Sequence, residues 1–373
     1  MQYSRHNYGA LLQAAALEQI VRDMLPSAEV EHIDARPIGM KKSLGWTACK
    51  QLFKRYIGGL IGRVPGIPQV GNYEVFSNFR NQSLQLTEKA YFDYEDFEGE
   101  KWDYDLVIVG SDQVFRIKFV KSRARIFFLR FLPDSCKRIA YAASFGVDYW
   151  EAEDDSEFTE KINQDLSKFN AISVRESSGV DICRNTFGLD AKHVLDPTLL
   201  IGREYFDKII ELADVRVSAA DWSVHCISDD VPMVREIPDL AKQYKKQLSS
   251  IYYSITRCWP MPARIQFNSV PEWLAQIRDT KELVLTDSFH CVCISILFEK
   301  NFLVFSSEEK GPGRMKSLLG SLGLEDRICT TQEALEHNAL GLNSIDYTSV
   351  RENLFYAREL SRGFLRDALH SSN

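Results

Sequence analysis

From about residue 104 the sequence settles into one rhythm, and that rhythm limits the folds open to it. The apolar run of YDLVIVG gives way to SDQVF, RIAYAAS to FG, AISVR to ESSG and a helical stretch, and KHVLD to PT. Each run is short and ends in small, polar or charged residues. Continuous apolar strands alternating with helices indicate a parallel sheet covered on both faces. Near residue 215 the pattern restarts with weaker signals. A strand lies within RVSAADWSVHCIS, a helix at VREIPDLAKQYKKQ and a strand at LSSIYYSI. VPEWLAQIRDT reads as a helix with Trp273, Leu274 and Ile277 on one face. ELVLT, HCVCISILFEK and NFLVFS then follow as strand, helix and strand. GRMKSLLGSLGL and TQEALEHNAL are further helices, and SVRENLFYARELSRGFLRDAL closes the chain as one long helix.

Two such halves predict an α/β fold: two Rossmann-like domains facing a cleft, divided near residue 205. The expected spans are 1–205, 206–340, and a C-terminal helix over 341–373 able to cross back to the first domain. With 373 residues, 45% of them hydrophobic, the chain is long enough for two cores. Its formal charge of −7 argues against a general nucleic-acid binder, whose affinity comes from neutralising phosphates. A local basic pocket for a small anion stays open. The eight cysteines contain no C-x-x-C pair, and no Cys/His spacing suggests a metal site. Scattered thiols of this kind read as buried and reduced, hence a cytoplasmic protein. The start, MQYSRHNYGALLQ, lacks the apolar core of a signal peptide, and no run of 18 apolar residues is present to span a membrane.

Residues 9–25 carry the spacing of an amphipathic helix, with Asn7 and Gly9 suited to the turn before it. Residues 41–63 interleave Lys41, Lys42, Lys50, Lys54, Arg55 and Arg63 with Trp46, Leu52, Phe53, Ile57, Leu60 and Ile61. Two readings stay open: a helix lying on an anionic membrane surface, or a solvated helix capping one edge of the core. Pro65, Gly66, Pro68 and Gly71 mark a loop.

The stretch ELVLTDSFHCVCISILF concentrates the chemistry. TDSFH is the turn from a strand's carboxyl end to a helix's amino end. Such ends present free N–H groups and partial positive charge to anions. Asp287 or Ser288 can cap the helix. His290, in the first turn, could bind a phosphate or carboxylate or move a proton near neutral pH. Ordinary capping beside a hydrogen-bonded histidine is the plainer alternative.

Several segments, taken in order, resemble the polysaccharide pyruvyl transferase family. They are NYGALLQAAAL, YDLVIVGSDQVF, YAASFG, ISVRESSG, VLDPTLL, TDSFH with SILFEKNFLVF, and GRMKSLLGSLGLEDRI. The resemblance covers about residues 7 to 330. It implies a two-domain GT-B-like fold and transfer of a pyruvyl group from phosphoenolpyruvate to sugar hydroxyls, usually as a cyclic ketal. Phosphoenolpyruvate is then a co-substrate, with no cofactor and no metal. The acceptor would be a sugar of cell-surface polysaccharide, such as capsule or exopolysaccharide. It could be carried on a lipid, with a peripheral contact at the inner membrane face.

The resemblance also assigns roles. Arg175 in ISVRESSG matches a donor-binding arginine, whose planar fork suits a carboxylate or phosphate. An ion pair with Glu176 or across the domains is the alternative. His290, with Ser288 beside it, matches the donor-site histidine. Lys310 and Arg314 in EEKGPGRM fall where the family has a phosphate-binding cation, though either would also serve as a solvated loop cation. Asp112 in VGSDQVF matches an acidic position and is the candidate base, or a cap for the next helix. His290 is the candidate acid, while the group that protonates the enol carbon stays open. Asn7, Tyr8 and Gly9, with Ser111, are expected on loops facing the cleft. Asp196–Pro197 reads as a rigid turn below the cleft.

Two departures from the family stand out. Family members have an apolar strand before the first helix, where this chain has only MQYSRH, so a truncated start or a very short first strand is expected. Cys291 replaces a common glycine, which predicts a narrower donor pocket. A nucleotide-sugar glycosyltransferase of the same fold and a non-catalytic partner of an assembly complex are the competing functions.

Overall fold

A computed structural model describes residues 7–36, 70–227, 232–256, 263–305, 313–329 and 344–371. In chain order its strands are β1 (His32–Ala35), β2 (Val70–Gly71), β3 (Leu86–Tyr91), β4 (Leu106–Val109), β5 (Lys137–Ala143), β6 (Ala171–Val174) and β7 (Lys192–His193). They continue with β8 (Trp222–His225), β9 (Leu248–Ser250), β10 (Tyr253–Thr256), β11 (Arg264–Phe267), β12 (Leu283–Thr286), β13 (Phe302–Phe305) and β14 (Ile328–Cys329). One parallel sheet has the order β4-β5-β6-β7, and a second, also parallel, has β14-β13-β12-β8-β9. β1 and β3 pair in parallel, while β10-β11-β2 forms a small mixed sheet.

The strands of both large sheets fall within the segments that predicted them, except β14, where no strand was expected. β5 and β12 are buried along their whole length, as strands with both faces covered must be. LSSIYYSI does not make one strand. It divides into β9 and β10, which belong to different sheets. β1 and β3 escape a search for apolar runs for a physical reason. β1 buries Asp34 against Arg80 at 2.5 Å and Arg36 at 2.7 Å, and β3 leaves Glu88 and Lys89 exposed.

The first helix, Tyr8–Met24, connects the two large sheets. Tyr8, Leu11 and Leu12 pack in a core with Trp273, Phe289 and Val292. Leu17, Ile20 and Val21 pack in another with Ile139 and Tyr141 of β5. The last helix, Tyr347–His370, does the same over a greater length. Tyr347, Val350 and Leu354 join the first of these cores, and Leu365, Ala368 and Leu369 the second. Among the described residues no helix is long and apolar enough to cross a membrane. The basic 41–63 stretch, the TQEALEHNAL helix and residues 1–6 lie outside the described residues.

Candidate active site

Strand order reverses between β8 and β12. The chain steps from β8 to β9 on one side, then through β12, β13 and β14 on the other. Crevices beyond the carboxyl ends at such a switch point are where open α/β sheets bind ligands. Thr286, the last residue of β12, pairs with His225, the last of β8. TDSFH therefore opens onto the switch point. Ser288 is the N-cap of the Phe289–Leu297 helix and accepts from the Cys291 N–H at 3.4 Å. Asp287 is not that cap, since its Oδ1 accepts from the Ile227 N–H at 2.7 Å.

His290 is buried in the first turn of this helix. Its Nε2 stands 3.5 Å from Asp196 Oδ2, an electrostatic contact beyond good hydrogen-bond geometry. No hydrogen-bond partner reaches that nitrogen among the described residues. Gly9 backs onto the ring: a Cβ there would lie 2.1 Å from His290 Nδ1 and 2.5 Å from its Cβ. The first helix thus sets where the histidine sits.

Asp196 is the hub. Its side chain is 0% exposed. Oδ1 accepts from Thr198 N at 3.0 Å and Thr198 Oγ1 at 2.7 Å, which caps the Pro197–Ile201 helix. Oδ2 accepts from Ser111 Oγ at 2.5 Å and Arg175 Nη1 at 3.2 Å. Burial opposes its ionisation. The charge and proximity of His290, the charge of Arg175 and the Ser111 hydroxyl outweigh that cost and hold the carboxyl well below the usual range. The expectation of a turn below the cleft is half right, because the same residue that caps the turn also gathers the site.

Arg175 follows β6 and is almost wholly buried. Its guanidinium stacks on the Phe289 ring at 4.4 Å, and its Nη2 lies 3.8 Å from Asp112 Oδ1. Its ion-pair partners are Asp196 and Asp112 rather than Glu176. Nε and Nη2 have no hydrogen-bond partner among the described residues. Glu176, next in the chain, is buried and accepts through Oε1 from the N–H groups of Phe145 and Gly146 at 2.7 and 3.2 Å. Arg314, in the Gly313–Leu322 helix, stays partly exposed while interacting electrostatically with Arg175, Glu176 and Asp112. Desolvation, then repulsion from Arg175, lowers it to about 10, which leaves it a cation. The seam beside it is closed by Ser317 Oγ, which accepts from Ser177 N at 3.0 Å and meets His193 Nε2 at 3.3 Å.

The structure brings together Asp112, Arg175, Ser288, His290 and Arg314 from the two sheets. Lys310 lies outside the described residues. The expectations for the cleft-loop residues, for Cys291 and for Asp112 as a helix cap need correction. Tyr8 is in the first helical turn, not a cleft loop. It is buried, stacks on Trp273 at 4.9 Å and donates its hydroxyl to Asn268 O at 2.7 Å. Asn7 is that helix's N-cap, as its place before the helix predicted, and Gly9 follows Tyr8 in the first turn rather than in a loop. Ser111 is buried and its hydroxyl is engaged by Asp196. Cys291 packs in the apolar core, with burial pushing its thiol up to about 12, so it does not narrow the site. Asp112 caps no helix; its Oδ1 accepts from the Gln113 N–H at 2.8 Å.

Sequence reasoning passed over His225 and gave Asp196 and Glu176 only structural roles. Burial, then the charge of His290, takes the His225 imidazole down to about 3, so it is neutral near pH 7. Trp273 Nε1 donates to its Nδ1 at 2.9 Å, which puts the proton on Nε2. The signal available was its place at the end of a strand next to ELVLT.

Two parallel sheets, with Arg175, His290 and Arg314 converging at their carboxyl ends, define an α/β protein. The chain belongs to the polysaccharide pyruvyl transferase family, whose model matches residues 7–309. It is thus a transferase of polysaccharide biosynthesis by family. No curated protein matches the chain at a significant level. Among solved structures, the co-structure of S. aureus MnaA with UDP superposes with a TM-score of 0.52 at 11% identity, over 95% of this chain and 92% of that one. That likeness is one of fold. A glycotransferase of kitacinnamycin superposes at 0.38 with 14% identity, over 83% of this chain and 92% of that one, too loosely to bear on the argument. Among the described residues no group of three His, Cys, Asp or Glu is placed to hold a metal.

Proposed function

We propose that the chain transfers the pyruvyl group of phosphoenolpyruvate to sugar hydroxyls, forming a ketal. The observation that carries this reading is the set of buried nitrogens without a hydrogen-bond partner among the described residues, Arg175 Nε and Nη2 with His290 Nε2, at the ends of both sheets. Buried donors without acceptors are costly, and an anion bearing both a carboxylate and a phosphate would satisfy them. Arg175 takes one anionic group in a forked contact, and His290 and Arg314 take the other. Asp112, beside Arg175 and 16% exposed, faces the acceptor and removes the proton of the attacking hydroxyl. His290 holds the departing phosphate by a hydrogen bond. The acceptor is a sugar, carried on a lipid if the basic 41–63 stretch contacts the inner membrane face.

Calorimetric titration with phosphoenolpyruvate tests the reading, with nucleotide sugars as comparison. Saturable binding of phosphoenolpyruvate, weakened at least tenfold by Arg175→Ala and His290→Ala, is the expected result, since each removes a charge-assisted contact worth about 1.5–3 kcal/mol. Preference for a nucleotide sugar would replace it with a glycosyltransferase of the same fold.

A further inference from the structure

The proposed reaction needs a proton at the methylene carbon of the enol, and neither Asp112 as base nor His290 at the phosphate supplies it. Glu176 follows Arg175 at the N-cap position of the Ser177–Phe187 helix, and its carboxyl is held in an asymmetric way. Oε1 is taken by the N–H groups of Phe145 and Gly146. Gly146 adopts φ +73°, and a Cβ there would lie 2.3 Å from Gln113 Oε1, so the loop holding those N–H groups has little freedom. Oε2 has no hydrogen-bond partner among the described residues. It shares this state with Arg175 Nε and Nη2, the two donors on the neighbouring residue.

We propose that Glu176 is the acid that delivers a proton to the methylene carbon of phosphoenolpyruvate, an assignment that rests on the reading of this site as a phosphoenolpyruvate site. The Oε2–H bond breaks as the carbon–carbon π pair forms the new C–H bond. The adjacent carbon becomes cationic and shares its charge with the ester oxygen. The first sugar oxygen adds there, and its proton passes to Asp112. The bond to phosphate then breaks, and phosphate departs with the bonding pair and the proton held by Asp112. The second hydroxyl adds, and its proton returns to Glu176. One proton has gone to carbon and one to phosphate, matching the two lost by the hydroxyls.

The surroundings suit a carboxyl that changes its protonation when the donor binds. Burial raises Glu176 above the usual carboxylate range. Opposing it are the charge of Arg175, the two N–H groups and the charge of Arg314. The Cys183 thiol, raised to about 12, also faces it and stays neutral. An anion seated on Arg175 and Arg314 cancels the two charges that favour the carboxylate, so donor binding draws a proton onto Glu176.

The test is titration of phosphoenolpyruvate in buffers of different ionisation enthalpy across the neutral range, with Glu176→Gln and Glu176→Asp alongside the wild type. Gln keeps an oxygen for the Phe145 and Gly146 N–H groups, so the variant should fold and bind within a few-fold of wild type. The wild type should take up close to one more proton on binding than Glu176→Gln. With a pyranoside acceptor that supports phosphate release, Glu176→Gln should lose about 10²–10⁴-fold in turnover. Glu176→Asp should keep the proton uptake and lose much of the turnover, which separates an acid out of reach from a collapsed site. Equal proton uptake by wild type and Glu176→Gln, or turnover by Glu176→Gln within a few-fold, overturns the assignment while leaving the donor reading intact. Absence of phosphoenolpyruvate binding by the wild type overturns both.

Discussion

A carboxylate with no exposed surface persists as an ion only where donors replace the water it has lost. Asp196 meets that demand with Ser111, Thr198 and Arg175, each from a different turn, while His290 stands opposite. Its removal as Asp196→Asn leaves Arg175 buried with one of its two countercharges, and should cost about 3–5 kcal/mol in urea unfolding. The pH dependence has a definite sign. Asp196 titrates lower in the folded chain than in the unfolded one, so its stabilisation is complete above about pH 4 and is lost as pH falls further. Asp196→Asn should flatten the stability–pH slope in that acid range. Equal slopes in the two proteins would show that the carboxyl is not the charged hub described. Gly9→Ala separates position from stability. Alanine suits a helix, but its Cβ would collide with the His290 ring and Cβ. Donor affinity should therefore fall by an order of magnitude or more, about 1.4 kcal/mol, with helix content by circular dichroism unchanged. This hub was not legible in the sequence. Asp-Pro looks the same whether it caps a turn or also collects an arginine and a histidine from distant segments.

At the level of elements, the strands that could be read were those whose two faces are both apolar. β4, β5, β6, β12 and β13 show that pattern in their letters, and the helices between them follow from the spacing. β1 and β3 do not, because an ion-paired aspartate and exposed charges interrupt them. The same limit explains why His225 went unremarked: β8 is WSVH, too short and mixed to fix where it ends. The last helix was legible as a helix able to cross back to the first half, though not in which side chains make the crossing. Leu365 is fully buried against the β5 side, while Leu354 packs with the Trp273 core. Leu365→Ala should destabilise by about 2–5 kcal/mol in chemical unfolding, the usual cost of a buried leucine cavity. Because Leu365 lies away from Arg175 and His290, phosphoenolpyruvate affinity should be unchanged at temperatures where the variant is folded. A fall in affinity would mean that the helix positions the site as well as the core.

For the whole molecule, the site is built so that neither large sheet owns it. Arg175 and Asp112 extend from the strand ends of one, and His290 and the Arg314 helix from the other. A ligand gripped by both groups stabilises only the state in which both are folded and in contact. Linkage then gives about 2.7 kcal/mol at a donor concentration one hundred times its Kd. A chain of this size can unfold in more than one step, which makes the distribution of that energy informative. Scanning calorimetry with phosphoenolpyruvate should move every transition that disrupts either sheet, and Arg175→Ala should abolish the shift. If only the transition of the second sheet moved, the donor would be held by His290 and Arg314 alone, and Arg175 would be a structural partner of Asp196. Arg175 Nε and Nη2, buried without a hydrogen bond among the described residues, argue for the first outcome, since a purely structural arginine at that depth would have its donors filled by the protein itself.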